Sequence, residues 1–169
     1  MLKSLKRLLP ALCVLAFTGA NHAAAQANVR IEPPVAQQGA RILEEQTASA
    51  AIRDYLQSWK SLSAALEQNR ADLLNPDFSG TARDKLGETV QEQDGAGLSA
   101  QYQDSSHDIQ IVFYSPEGLS IELTDTVEYD MQVMDHGKSI ANQHMRSRYI
   151  VVLTPAEARW KVHVFQAMN

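Results

Sequence analysis

From Leu119 to Val133 the chain places apolar side chains at 119, 121, 123, 127, 129, 131 and 133 and polar ones at every even position. Successive side chains of an extended chain point to opposite faces, so this run forms a long strand with one dry face and one wet face. Such a strand needs partners along its edges and apolar cover over its dry face. Asp125 is the single interruption of that dry face.

The partners follow in the chain. Four strand-like runs, 107–115, 119–134, 139–153 and 159–167, are joined by Pro116-Glu117-Gly118, Asp135-His136-Gly137 and Thr154-Pro155-Ala156-Glu157-Ala158, all rich in turn formers. Connectors this short imply antiparallel neighbours in a meander. Leu98, Ala100 and Tyr102 alternate too, as an edge strand or an extended linker. The cover comes from upstream. Between Arg41 and Asn69 there is no Gly or Pro, and Ile52, Tyr55, Leu56, Trp59, Leu62 and Leu66 fall at helical spacing, which predicts a long amphipathic helix. Pro76 and Gly80 break the chain before a second helix over 81–93, with Ala82, Leu86 and Val90 as its buried row and Ser79 or Thr81 as N-cap. The fold class expected is α+β, with N-terminal helices packed on a curved antiparallel meander.

Dry faces must match across the strands, and that constrains the register. A three-residue Asp135-His136-Gly137 loop with Gly in the left-handed position sets Val127 opposite Met145, Asp125 opposite Ser147 and Leu123 opposite Tyr149. A two-residue loop would set Val127 against Arg146. The same parity argument pairs Val151 with Val162 and Ser147 with Gln166. A polar row, Asp125, Ser147 and Gln166, then crosses the apolar inner face, while Ile150, Val152 and Phe165 fall outside as an apolar patch fit for a partner or a second copy.

The N-terminus bears on location. Met1 to Arg7 is basic, Leu8 to Ala20 is apolar, and Ala23-Ala24-Ala25 precedes Gln26, the pattern of a cleaved secretory signal. The apolar run is shorter than the roughly 20 residues that span a bilayer. Residues 1–25 are thus expected to be a signal peptide, 26–40 a flexible tether with Pro33-Pro34 and Gly39, and 41–169 one domain in the periplasm or outside the cell, with no membrane span after cleavage. Cys13 lies in the leader, so the mature domain has no disulfide and relies on its core. The whole chain carries a net charge of −5, and three of its cations, Lys3, Lys6 and Arg7, sit in the leader. The remainder is more acidic still, which disfavours nucleic acid and anionic membranes as partners.

The element order, the helix pattern Tyr55-Leu56-x-x-Trp59 and the closing strand Trp160-Lys-Val-His-Val-Phe165 resemble the nuclear transport factor 2-like superfamily, which includes SnoaL-like cyclases and ketosteroid isomerases, over about residues 42–166. The resemblance implies a cone-shaped sheet closed by helices around a pocket, and dimers formed through the sheet. Enzymatic members place a tyrosine on the first helix, matched here by Tyr55, and an aspartate base after it, near which stands Asp77. They place a second acid on the penultimate strand, around Ser147-Arg148, where this chain has none.

The expected ligand pocket comprises Tyr55, Trp59, Asp125, Tyr129, Ser147, Tyr149 and Gln166. A carboxylate on a dry face costs several kcal/mol unless it is hydrogen-bonded, and perturbed acids gather at functional sites. Asp125, with Tyr55 and Asp77, is therefore the candidate for catalysis. The alternative is a bulge at Asp125-Thr126 that turns the carboxylate to water, or simple satisfaction by Ser147 and Tyr149. No metal set converges, since His144 and His163 are far apart along the strands, and no nucleophile elbow, phosphate loop or cofactor motif occurs. The sequence favours a non-enzymatic domain, binding a small apolar or amphipathic molecule or acting as a homodimer. An isomerase, cyclase or dehydratase using a pocket aspartate, and an accessory subunit of a cell-envelope complex, are the alternatives.

Overall fold

The computed structural model describes residues 27–34 and 41–168, so the expected signal peptide lies outside the described residues. Strand β1 (Asn28–Glu32) is followed by helix α1 (Glu45–Gln68), a 3-10 turn (Ala71–Leu74), helix α2 (Gly80–Gly95), and strands β2 (Leu98–Tyr114), β3 (Ile121–Asp135), β4 (Lys138–Pro155) and β5 (Trp160–Met168). The sheet runs in the order β1-β2-β3-β4-β5. Its last four strands form the expected antiparallel meander, and β1 joins parallel to β2.

Strand β1 corrects the reading of 26–40 as a tether throughout. Val29 and Ile31 alternate and align with His107 and Ile109, a pattern too brief to stand out in the sequence. Strand β2 is one strand of 17 residues rather than an edge fragment followed by a new strand at 107. A bulge between Asp104 and Ser106 keeps Ala100 and Tyr102, before it, on the same face as His107 and Ile109, after it.

Helix α1 buries Ala51, Ile52, Tyr55, Ser58, Trp59, Leu62, Ala65 and Leu66 on the concave face of the sheet. Asn69 ends it in the left-handed conformation, with its amide Nδ2 donating to the Leu98 carbonyl at 2.8 Å. The other half of the core comes from alternate positions of the strands, Ile109, Ile111, Ile121, Leu123, Val127, Val151, Leu153 and Val162. No helix among the described residues is long and apolar enough to cross a membrane.

The register between β3 and β4 keeps the expected parity but moves by two residues. Asp125 faces Tyr149, Val127 faces Ser147 and Leu123 faces Val151. The turn is the two-residue kind, closed by Asp135 and Lys138, with His136 and Gly137 both at positive φ. Parity, which forbids that turn between unbulged strands, is restored by a bulge at Ile140. On the wet face this register brings Arg146 to Glu128 at 3.5 Å and His144 to Asp130 at 2.9 Å.

A further bulge, at His163, changes which side chains of β5 face in: Leu153 pairs with Val162, but Val152 pairs with Val164 and Val151 with Phe165. Phe165 is thereby turned inward, and Gln166, expected in the inner polar row, is exposed opposite Ile150. The stretch before α2 pins this bulge. Val162 donates its N–H to the Asp77 carbonyl, Ser79 donates its own to the Val162 carbonyl, and the Thr81 hydroxyl donates to the His163 carbonyl. Ser79 occupies the N-cap position, but its hydroxyl meets the His163 ring rather than a helix N–H.

Gly80 sits at φ +51, and a Cβ there would overlap the His163 ring. Gly80→Ala combines a left-handed non-glycine residue, about 1–2 kcal/mol, with that overlap. Urea denaturation should show a loss of roughly 2–3 kcal/mol. Adding His163→Ala should recover the steric part and leave the backbone part.

Candidate functional site

Three elements converge inside the cone. Tyr55 and Trp59, one turn apart on α1, look onto β2 and β3, where His107 and Asp125 face inward from neighbouring strands. The Tyr55 hydroxyl donates to Asp125 Oδ2 at 2.8 Å, and His107 Nδ1 lies 2.7 Å from the same oxygen. His107 Nε2 faces Asp104 at 3.6 Å. The bulge at Ser105 makes this possible, because it lets Asp104 and His107 share the inner face.

The cluster is buried except at Asp104, whose side chain is 23% exposed. Tyr55 and Asp125 are wholly buried and His107 is 2% exposed. Burial pushes the Tyr55 hydroxyl well above its ordinary pKa, and the Asp125 charge pushes it the same way. For His107 burial works toward the neutral form, but the hydrogen-bonding and charge of Asp104 and Asp125 overcome it and raise the pKa to about 9. The imidazole is therefore cationic at neutral pH and lies between two carboxylates. Two buried polar atoms of the cluster have no hydrogen-bond partner, Asp125 Oδ1 and Trp59 Nε1.

Around the cluster the cone is filled by aromatic rings. Trp59 lies 5.3 Å from the His107 ring, 6.2 Å from Tyr129, 5.6 Å from Tyr149 and 5.5 Å from Phe165. Phe165 stacks on Tyr149 at 4.6 Å, and Tyr102 stands 5.3 Å from Tyr129. Burial, and next the neighbouring Tyr129, push the Tyr149 hydroxyl above its ordinary range.

Of the expected pocket residues, the structure gathers Tyr55, Trp59, Asp125, Tyr129 and Tyr149. Ser147 faces inward one pair further along, half-buried opposite Val127, whereas Gln166 lies outside the set. The bulge that would have turned Asp125 to water does not occur, since its neighbours pair without a break. Asp77 is elsewhere: Arg159 donates to its Oδ1 at 2.6 Å and the Ser61 hydroxyl to its Oδ2, so it serves as a buried anchor for the β4–β5 turn. In the outward patch Ile150 and Val152 keep their places, Val164 takes the third, and Phe165 belongs to the core side. His107 and Asp104 are the residues that sequence reasoning missed. The signal was the alternation of His107 with Ile109 and Ile111, hidden by taking 107 as a strand start. These side chains are linked by two hydrogen bonds at Asp125 and an ion pair between His107 and Asp104, and among the described residues no group of three His, Cys, Asp or Glu converges as metal ligands.

No protein-family model matches the chain, and no curated protein matches it. Solved structures do. The intermembrane-space region of the chloroplast protein ARC6 aligns with a TM-score of 0.63 at 15% identity, covering 76% of this chain and 98% of that one. A scytalone dehydratase-like protein of Novosphingobium aromaticivorans aligns at 0.52 and 15% identity, over 75% and 89%. The Kfla4162 protein of Kribbella flavida aligns at 0.51 and 9% identity, over 72% and 91%. At these identities the likeness establishes the fold, which is the nuclear transport factor 2-like α+β cone that the element order implied.

Proposed function

We propose that this chain is an exported, non-enzymatic binding domain for a small amphipathic molecule, in which the closed cone is the scaffold and the Tyr55–Asp125–His107–Asp104 chain is its internal rivet. The observation that supports this best is the engagement of His107. One ring nitrogen is held by Asp125 and the other faces Asp104, so neither is open to a substrate. Tyr55 is spent on Asp125 in the same way. An acid–base catalyst needs a group within hydrogen-bond reach of the reacting proton, and here the Tyr55 hydroxyl and both nitrogens of His107 are already committed to neighbours.

A second reading has one observation in its favour. Asp125 Oδ1 is buried, unpartnered and next to a tyrosine hydroxyl, the arrangement an isomerase or dehydratase would use for proton abstraction.

Native mass spectrometry of the mature protein purified from its own host, set against its denatured mass, separates the two. The expected result is an extra small mass lost on denaturation, retained by the Asp125→Asn variant while its stability falls. Loss of that mass by Asp125→Asn at unchanged stability would place the ligand in the cone and favour the enzyme. A clean, empty dimer would instead make the outward patch of Ile150, Val152 and Val164 the working surface.

A further inference from the structure

We infer that a groove on the outer flank of α1 binds a single-chain amphipathic anion, with its carboxylate or similar head at Lys60 and its apolar body on Ile31 and Leu56. This rests on the reading of the chain as a small-molecule-binding domain and names the site and the ligand class. The groove has a volume of about 690 Å³, within the roughly 300–1,000 Å³ of small-molecule sites.

Its construction follows from the fold. Ser49, Arg53, Leu56 and Lys60 form a stripe at helical spacing on the side of α1 turned away from the buried row. The facing wall is the edge strand β1. Ile31 pairs with the inward-facing Ile109 and so points to the concave side, yet it remains 56% exposed because α1 does not reach over it. An exposed isoleucine on the inner face of a sheet, opposite Leu56, is apolar surface that the described residues leave uncovered.

The rim supplies the sign of the charge. Arg53, Lys60 and Arg159 line the groove with a single acid, Asp54, in a chain whose net charge is −5. Asp54 is already committed, one oxygen to Arg53 and the other accepting the Trp160 N–H at 2.9 Å. Arg159 is held by Asp77. Lys60 has no ion-pair partner among the described residues and stands above the apolar floor, where an anionic head would complete it. A polyanion or an anionic bilayer would be repelled by the acidic remainder of the surface, whereas one negative head on an apolar chain needs only the single cation of Lys60.

The test is calorimetric titration of the mature protein with decanoate below its micellar concentration, alongside decanol. Decanoate should bind one to one, decanol at least about tenfold more weakly, because it lacks the negative charge that Lys60 would meet. Lys60→Gln and Ile31→Ser should each weaken decanoate roughly tenfold, and Lys85→Gln, exposed on α2, should leave it unchanged. Equal affinity for decanol, or decanoate binding indifferent to Lys60 and Ile31, overturns the assignment. If protein from the host nonetheless releases a small molecule, only the groove and its ligand class fall. If neither decanoate nor a host molecule binds, the binding-domain reading falls with them.

Discussion

Asp125→Ala should lower the free energy of unfolding by about 3–5 kcal/mol in urea denaturation, the largest effect expected of any single truncation here. The carboxylate is wholly buried and holds two partners, the Tyr55 hydroxyl and the His107 ring. Removing it leaves a cationic imidazole in the core with only Asp104 at 3.6 Å, and a buried hydroxyl with no acceptor. Asp125→Asn should cost less, since the amide oxygen still accepts from Tyr55 while the charge that holds His107 protonated is gone. The same pair predicts a pH dependence. An unfolded histidine titrates near 6.5 and the folded His107 near 9, so between these values the folded state holds a proton that the unfolded state has released. Its contribution is therefore complete below about pH 6.5 and is lost as pH rises through 9, a decline of roughly 3 kcal/mol. His107→Gln should flatten that limb of the stability profile. A wild-type profile already flat between pH 6.5 and 9 would show that the imidazole is not held cationic and that the rivet is weaker than its geometry implies.

What made the outline of the fold readable, and what hid the rivet, have the same source. Alternation along Ile121–Val133 marked both the strand and the anomaly of Asp125, because a dry face is a statement about parity and parity survives most local errors. Bulges are what alternation cannot show. A single extra residue changes no composition and breaks no pattern long enough to notice, yet the ones at Ser105, Ile140 and His163 decide that Asp104 joins His107, that Asp125 meets Tyr149, and that Phe165 and Gln166 exchange faces. The bulge at His163 is not encoded in β5 alone. It depends on hydrogen bonds from a segment about 80 residues earlier, around Asp77 and Ser79, and on the room that Gly80 leaves for the ring. Tyr55 and Trp59 were legible as an inward pair from helical spacing. Their partner His107 was not, since one histidine before two isoleucines reads equally well as a strand end.

Phe165 provides the sharpest measurement of this difference. If β5 ran without a bulge, its ring would lie outside with Ile150 and Val152, and its truncation would change stability by no more than about 0.5 kcal/mol. With the bulge it stacks on Tyr149 at 4.6 Å and meets Trp59 and Phe78 edge-on, closing the cone beside the polar cluster. Phe165→Ala should therefore cost roughly 3 kcal/mol, at the low end of the range for truncating a buried aromatic because the ring is only half-buried. Gln166→Ala, exposed on the other face, should stay within about 0.5 kcal/mol of wild type. The consequence extends to the site. Phe165 and Tyr149 together wall Trp59 off from the end of β5, so the truncation should also open the interior to solvent and shift the tryptophan emission to the red. A Phe165→Ala variant with unchanged stability and emission, paired with a destabilised Gln166→Ala, would mean that the strand has the opposite face inward and that the cone is closed by other side chains.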